Sequence, residues 1–242
     1  MTTVVEALNR IARQCSIKAP SSWVSATRDD HVSLRDDFLS ETVEDILERV
    51  DLPSPIGAQT TITGTTAETY DLPANFVRLH RDDFAVYDKN LDRACIPITT
   101  DGEYTYIKDQ GTAGVVRYFK TNGYYTGSAG GFTISFYDEP DAGTELVISY
   151  STPYWMATNG GVAGDMFTAE DDVLLLPRRV VEAGTVWRWR ERKGLPYLDK
   201  YNEYEALIAR LSNDKRARRV VAMGERPTVR WQDLVPAVIP SS

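Results

Sequence analysis

The chain has 242 residues, 42% of them hydrophobic and 10% aromatic, enough apolar mass for a packed core and against global disorder. No run of about 18 apolar residues occurs, so no transmembrane helix is expected, and the opening MTTVVEALNRIARQ lacks the basic and apolar regions of a signal peptide. A formal net charge of −8 argues against general nucleic-acid binding, and Cys15 and Cys95, with no CxxC pair, read as reduced structural thiols.

The charge is uneven. Residues 1–176 hold 13 Lys+Arg and 27 Asp+Glu, a net of −14, whereas residues 177–226 hold 13 against 7, a net of +6. Such a split describes either ordinary solvated faces or oppositely charged parts of neighbouring copies that meet one another or a partner.

The first predicted element is a helix. Thr3 and Glu6 form a capping-box pattern, and Val4, Leu8, Ile11 and Cys15 follow at helical spacing until Pro20 stops the run. Ser33 and Asp36 resemble a second box, opening a helix over 33–51 with an apolar stripe of Leu34, Phe38, Leu39, Val43, Ile46 and Val50; Pro53 and Pro55 end it. From Gly57 to Met156 short alternating stretches such as NFVRLH, YTYIKD, FTISFYD and ELVISYS are separated by turn dipeptides, including Asp101-Gly102, Asn122-Gly123 and Gly130-Gly131. About six to eight antiparallel strands in a small sandwich or open barrel are expected there. Residues 157–164, ATNGGVAG, read as a flexible linker, and Thr168 with Asp171 as the cap of a short turn. A third helix starts at Pro177 and ends at Gly194, and a fourth runs from near Tyr197, with Tyr197, Tyr201, Tyr204, Ile208 and Leu211 on one face, to before Gly224. The proline-rich tail from Glu225 is expected to be extended.

The predicted fold is therefore α+β: a four-helix scaffold, two N-terminal and two C-terminal helices, interrupted by an antiparallel β-rich insertion domain and followed by an extended C-terminal arm. The boundaries are 1–55 for the N-terminal helical pair, 56–156 for the insertion, 157–224 for the C-terminal hairpin completing the bundle, and 225–242 for the arm.

Catalytic chemistry finds little support. His31 and His80 are the only histidines and offer no zinc spacing; there is no GxSxG elbow, no phosphate-binding glycine loop and no DxDxDG calcium loop. Adjacent acids such as Asp138-Glu139 sit in turns, without the cleft-spanning geometry of glycosidases. No catalytic residue, metal or cofactor is assigned, and no enzyme activity is expected.

What stands out is VVEAGTVWRWRERKGLPYLDKYNEYEALIARL, residues 180–211. On a helix Trp187 and Trp189 are rotated about 200° apart, so they cannot share one core. Gly184 in mid-helix costs about 1 kcal/mol relative to Ala, which calls for close approach by another element. Trp187, Arg188, Trp189, Arg192, Tyr197 and Tyr201 are the candidate residues for bundle packing or a subunit interface, because Trp, Tyr and Arg dominate interface energetics.

DDVLLLPRRVVEAGTVWRWRERKGLPYLDKYNEYEALIARL (171–211) resembles the C-terminal helical hairpin of tailed-phage head-to-tail adaptor proteins of the tail tubular protein A type. YDLPANFVRL (70–79) resembles a segment near the middle of the same proteins. The resemblance implies a structural virion protein at the head–tail junction, assembled in the host cytoplasm. It implies a ring, dodecameric in that family, docked under the portal ring, prolonging the channel for double-stranded DNA without sequence-specific binding and offering a surface to a downstream tail or nozzle protein. No membrane partner is implied. Pro177, Trp187, Gly194 and Tyr197 would shape the hairpin. Arg226, Val229, Arg230, Trp231, Leu234 and Ile239 are the candidate arm residues for the portal or a neighbouring copy: alternating apolar and prolyl residues dock as a strand at reduced ordering cost. The alternative is a β-rich tail module binding glycans or partners through Tyr104, Tyr106, Tyr118, Tyr124 and Tyr125.

Overall fold

Helix α1 (Val4–Gln14) begins with both halves of the predicted capping box: the Thr3 hydroxyl accepts from the Glu6 amide at 3.2 Å, and the Glu6 carboxylate accepts from the Thr3 amide at 3.4 Å. Val4, Leu8 and Ile11 are buried. The helix ends before the expected proline, because Ser16 turns left-handed (φ +57°) and the Ile17 amide bonds back to the Ala12 carbonyl. The computed structural model describes residues 2–81, 84–110, 117–123 and 131–218.

The second helical run does not start at Ser33. It starts as α2 (Asp29–Val32), passes through a π-helical turn (Ser33–Phe38) and continues as α3 (Leu39–Arg49). Ser33 lies inside the run with helical dihedrals, and Asp36 pairs with Arg35 instead of capping. Tertiary bonds extend the helix backward: Arg35 donates to the carbonyls of Trp23 and Val24, and His31 lies 2.9 Å from the Lys18 carbonyl. These contacts lay residues 15–28 across the bundle, where Trp23 is buried and donates to Asn9. The predicted stripe of Leu34, Phe38, Leu39, Val43, Ile46 and Val50 is buried throughout.

A two-sheet sandwich follows. Strand β1 (Gly57–Thr63) pairs antiparallel with β9 (Glu145–Ser151) along its full length. The other edge of β9 takes β3 (Arg78–Leu79) and β4 (Val86–Asp88), and β5 (Arg93–Ala94) lies outside β4. The facing sheet runs β2 (Thr69–Asp71), β8 (Thr133–Phe136), β7 (Tyr118–Asn122), β6 (Ile96–Pro97). Its β6–β7 pair is parallel, against the all-antiparallel expectation. Two-residue periodicity sends Leu146, Ile148 and Tyr150 inward to share a core with Phe119, Ile134 and Phe136. At its margin the buried Arg117 holds the buried Asp88 at 3.0 Å, and Asp88 also accepts the Asn90 and Leu91 amides.

YTYIKD, predicted as a strand, is part of helix α4 (Asp101–Gln110). Thr100 accepts the Glu103 amide, which starts the helix, and Tyr104 and Lys108, one turn apart, both reach Glu68.

The segment read as a linker at 157–164 is a hairpin: β10 (Met156–Ala157) pairs with β11 (Ala163–Gly164) and with β12 (Val173–Leu174). Trp155, Met156, Leu174 and Leu176 pack into the helical core, and β12 touches the start of α1 through Thr3 and Val173. The turn before β12 is held by Asp172, not Asp171; Asp172 accepts the amides of Thr168 and Ala169 at 2.9 Å each. Pro177 precedes α5 (Arg178–Arg192) as its N-cap, and α6 (Leu198–Arg218) follows. Gly194 closes α5 at φ +67°, with the Leu195 amide bonded to the Arg190 carbonyl and the Gly194 amide to that of Glu191. That is a Schellman ending, which a Cβ at position 194 would strain.

The fold is α+β with two cores, one helical and one in the sandwich. No helix among the described residues is long and apolar enough to cross a membrane. Burial pushes the thiols of Cys15 and Cys95 up to about 12.

Candidate functional site

Helix α5 is the hub of the helical core. Val180, Val181, Ala183, Val186 and Trp189 are buried along it. Gly184 lies where α3 and α6 come closest: a Cβ there would stand 2.4 Å from the Thr42 methyl and 2.9 Å from the Tyr204 ring. The close approach expected from a mid-helix glycine is thus present.

The two tryptophans divide as helical geometry requires. Trp189 turns inward, 5% exposed, edge-on to Phe38 at 5.9 Å, with Lys193 4.5 Å above its ring. Trp187 turns to α6, half-buried, with Tyr201 at 5.3 Å, Tyr197 at 6.3 Å and Tyr204 at 6.4 Å. Its indole N–H is buried without an acceptor among the described residues. Arg188 lies between the tryptophans in sequence and fills the seam in space. Its guanidinium is 4.5 Å from the centre of the Trp187 ring system and donates to Thr42 Oγ1 and to Asp45, both at 3.2 Å. Asp45 also receives the Tyr204 hydroxyl at 2.5 Å. Next to it, Arg49 grips Glu205 with two bonds of 2.8 and 2.6 Å.

Electrostatics follow this wiring. Burial and the Asp45 hydrogen bond push the Tyr204 hydroxyl up, and the Arg49 hydrogen bonds hold the Glu205 carboxyl below its usual range. The charged groups of the seam are thus paired with one another: Arg188 with Asp45, and Arg49 with Glu205. Among the described residues no group of three or more His, Cys, Asp or Glu side chains is arranged to hold a metal.

Two exposed features flank this rigid seam. At the elbow between α5 and α6, Leu195, Leu198 and Tyr201 are 49%, 65% and 37% exposed, an apolar patch backed by the Trp187 stack. Elsewhere the π-turn, α3 and the end of α5 enclose a groove of about 400 Å³ lined by Phe38, Trp189, four carboxylates, Arg192 and Lys193. Of the predicted residues, Trp187, Arg188, Tyr197 and Tyr201 come together at the α5–α6 contact, whereas Trp189 and Arg192 line the groove. Thr42 and Asp45 complete these surfaces and escaped the sequence reading, since nothing local ties α3 to a helix more than a hundred residues later; Phe38 reads in the sequence as part of its own helix's apolar stripe, without its partner Trp189.

Arg226, Val229, Arg230, Trp231, Leu234 and Ile239 lie outside the described residues, as do Tyr124 and Tyr125. Of the remaining sandwich tyrosines, Tyr104 is tied to Glu68 at 2.6 Å, Tyr118 is half-buried and Tyr106 is 64% exposed.

No curated protein sequence matches the chain. The sequence model of the family described as SU10 adaptor protein matches residues 2–230, nearly the full length, helices and sandwich together. The chain belongs to the SU10 adaptor protein family and is a phage adaptor, a structural component of the virion that associates with portal and tail components.

Proposed function

We propose that this adaptor is the head-to-tail connector of a short-tailed particle, of the tail tubular protein A type: a ring of copies, dodecameric, docked under the portal, prolonging the DNA channel and carrying the next tail or nozzle protein. The observation that carries this reading is the α5–α6 elbow. Leu195, Leu198 and Tyr201 are held out to solvent on a scaffold that Arg188, Asp45, Tyr204 and Trp187 make rigid. A preformed apolar patch over fixed side chains suits docking, because little ordering is left to be done on contact.

The helical scaffold, completed by the hairpin of 157–224, faces the portal in this proposal, and the sandwich of 56–156 faces the tail. The arm of 225–242 runs into the portal or along a neighbouring copy through Arg226, Val229, Arg230, Trp231, Leu234 and Ile239. The acidic excess over residues 1–176 suits a channel wall that lets DNA slide, since like charge opposes adhesion of phosphate.

The test is co-sedimentation of the full chain and of a chain lacking 225–242 with the particle's portal rings. The full chain is expected to shift to the mass of a ring on the portal, and the truncated chain to keep its fold and lose the shift. Undiminished binding by the truncated chain removes the arm's role, and a full chain indifferent to the portal removes the connector reading.

A further inference from the structure

Strand β1 is the open edge of its sheet: β9 takes one side of it, and no strand among the described residues takes the other. The register fixes which groups this leaves over. Just outside the strand, the Ile56 carbonyl accepts the Thr152 amide and the Gly64 amide donates to the Thr144 carbonyl, so both residues belong to hydrogen-bonded pairs of the ladder. Antiparallel alternation then turns the main-chain groups of Ala58, Thr60 and Ile62 toward β9 and those of Gln59, Thr61 and Thr63 outward. The Gly57 amide, next in the outward row, is taken by the Pro53 carbonyl. Gln59, Thr61 and Thr63 are exposed, and no hydrogen bond among the described residues reaches their outward N–H and C=O groups. The side chains of Ala58 and Ile62 pack against the sandwich core.

An open edge is a template for another chain, and proteins ordinarily blunt it with shortness, proline or charge. The other edge strands of the described sheets follow that rule: β2 has three residues and ends in Asp71, β5, β6, β11 and β12 have two each, and β6 carries Pro97. Strand β1 does not. Its seven residues, GAQTTIT, hold no charge and no proline, and its register with β9 runs without a bulge. Thr61 is the centre of the outward row. An antiparallel copy set with Thr61 opposite Thr61 brings Gln59 opposite Thr63 at both ends, so every outward N–H meets an outward C=O. The facing side chains are then Thr with Thr and Gln with Thr, uncharged pairs that favour the register, and Thr60 stands beside Ile62 of the other copy on the core side.

We propose that β1 is a self-complementary docking edge, and that the free chain forms a two-fold dimer by pairing β1 with β1 of a second copy in the Thr61-to-Thr61 register. The two sheets then run on as one. The contact presents the same strand on both copies, so it closes at two. It is separate from the head-to-tail contacts by which a ring closes, and it stands or falls without them.

Sedimentation velocity of the full chain, from about 1 to 300 µM and without the portal, tests the contact. The native chain is expected to pass from monomer to dimer over that range. Thr61→Lys and Thr61→Glu change an exposed residue and each set like charges opposite one another at the two-fold axis; each is expected to weaken dimerisation about tenfold or more. Mixed in equal amounts, the two variants are expected to regain the dimer, because Lys then faces Glu, a rescue that neither misfolding nor a contact elsewhere on the chain imitates. A native chain that stays monomeric, one that sediments as a ring with no dimer, variants that pair as tightly as the native chain, or a mixture that pairs no better than either variant alone overturns the proposal.

Discussion

Asp51, just past the end of α3, and Arg78, in β3, close the joint between the helical core and the sandwich with a 2.6 Å ion pair. The same guanidinium donates to the carbonyls of Leu47 and Val50, and the second oxygen of Asp51 accepts the Arg81 amide at 2.9 Å. Burial opposes ionisation of Asp51, but Arg78 and the Arg81 amide outweigh it and hold the carboxyl below its usual range. Both side chains are about one-fifth exposed, 19% and 23%. Arg78→Ala is therefore expected to cost about 2 kcal/mol, less than breaking a fully buried pair. A folded-state pKa lowered from about 3.9 contributes stability above that value and loses it as pH falls through the lowered one. Urea unfolding of the native chain and Arg78→Ala should show a gap at pH 7 that narrows on acidification below about pH 4. It should not close, because the carbonyl acceptors do not titrate.

Gly184→Ala sets two effects against each other. The substitution favours the helix by about 1 kcal/mol. The new methyl must displace the Thr42 methyl at 2.4 Å and the fully buried Tyr204 ring at 2.9 Å. Overpacking of that kind costs about 1–3 kcal/mol, so the net expectation is a lower melting temperature. An unchanged or raised melting temperature would show that α6 gives way freely.

Arg188→Lys is expected to destabilise nearly as much as Arg188→Ala, by about 2 kcal/mol, since a point charge on a flexible stem cannot donate to Thr42 and Asp45 while lying flat on Trp187. Tyr204→Phe should cost less, about 1 kcal/mol, because Asp45 keeps Arg188 at 3.2 Å and Arg49 at 3.6 Å. Denaturant midpoints of the three variants order the effects.

Leu198→Asp and Leu195→Asp alter exposed positions and should change stability by less than about 0.5 kcal/mol. If the elbow is the docking patch, each should nevertheless weaken co-sedimentation with portal rings several-fold. Stability and binding that fall together, or neither, would remove the elbow from the interface.

The parts of the fold legible in the sequence are those decided within one turn of chain. Thr3 and Glu6 satisfy each other across three residues, Gly194 supplies its own left-handed ending, and the angle between Trp187 and Trp189 follows from the helical repeat alone. The illegible parts are decided by distant partners. Alternation in YTYIKD suggests a strand, but Glu68 holds Tyr104 and Lys108 on one side of a helix. Three glycines in ATNGGVAG suggest a linker, but the Trp155 indole reaches the Asp165 carbonyl and packs in the helical core, which folds the stretch back as a hairpin. Ser33 looks like a cap because nothing local reveals that Arg35 and His31 reach back to the preceding loop. The candidate site divides the same way: α5 and α6 announce their aromatics, while the carboxylates that join them come from α3.

Burial of the two thiols has a covalent consequence. An exposed thiolate cross-links or oxidises on meeting an oxidant. Burial pushes Cys15 and Cys95 up to about 12, so the thiolate needed for disulfide exchange is scarce at neutral pH. A thiol-reactive dye should therefore label the native chain slowly and the urea-unfolded chain at once.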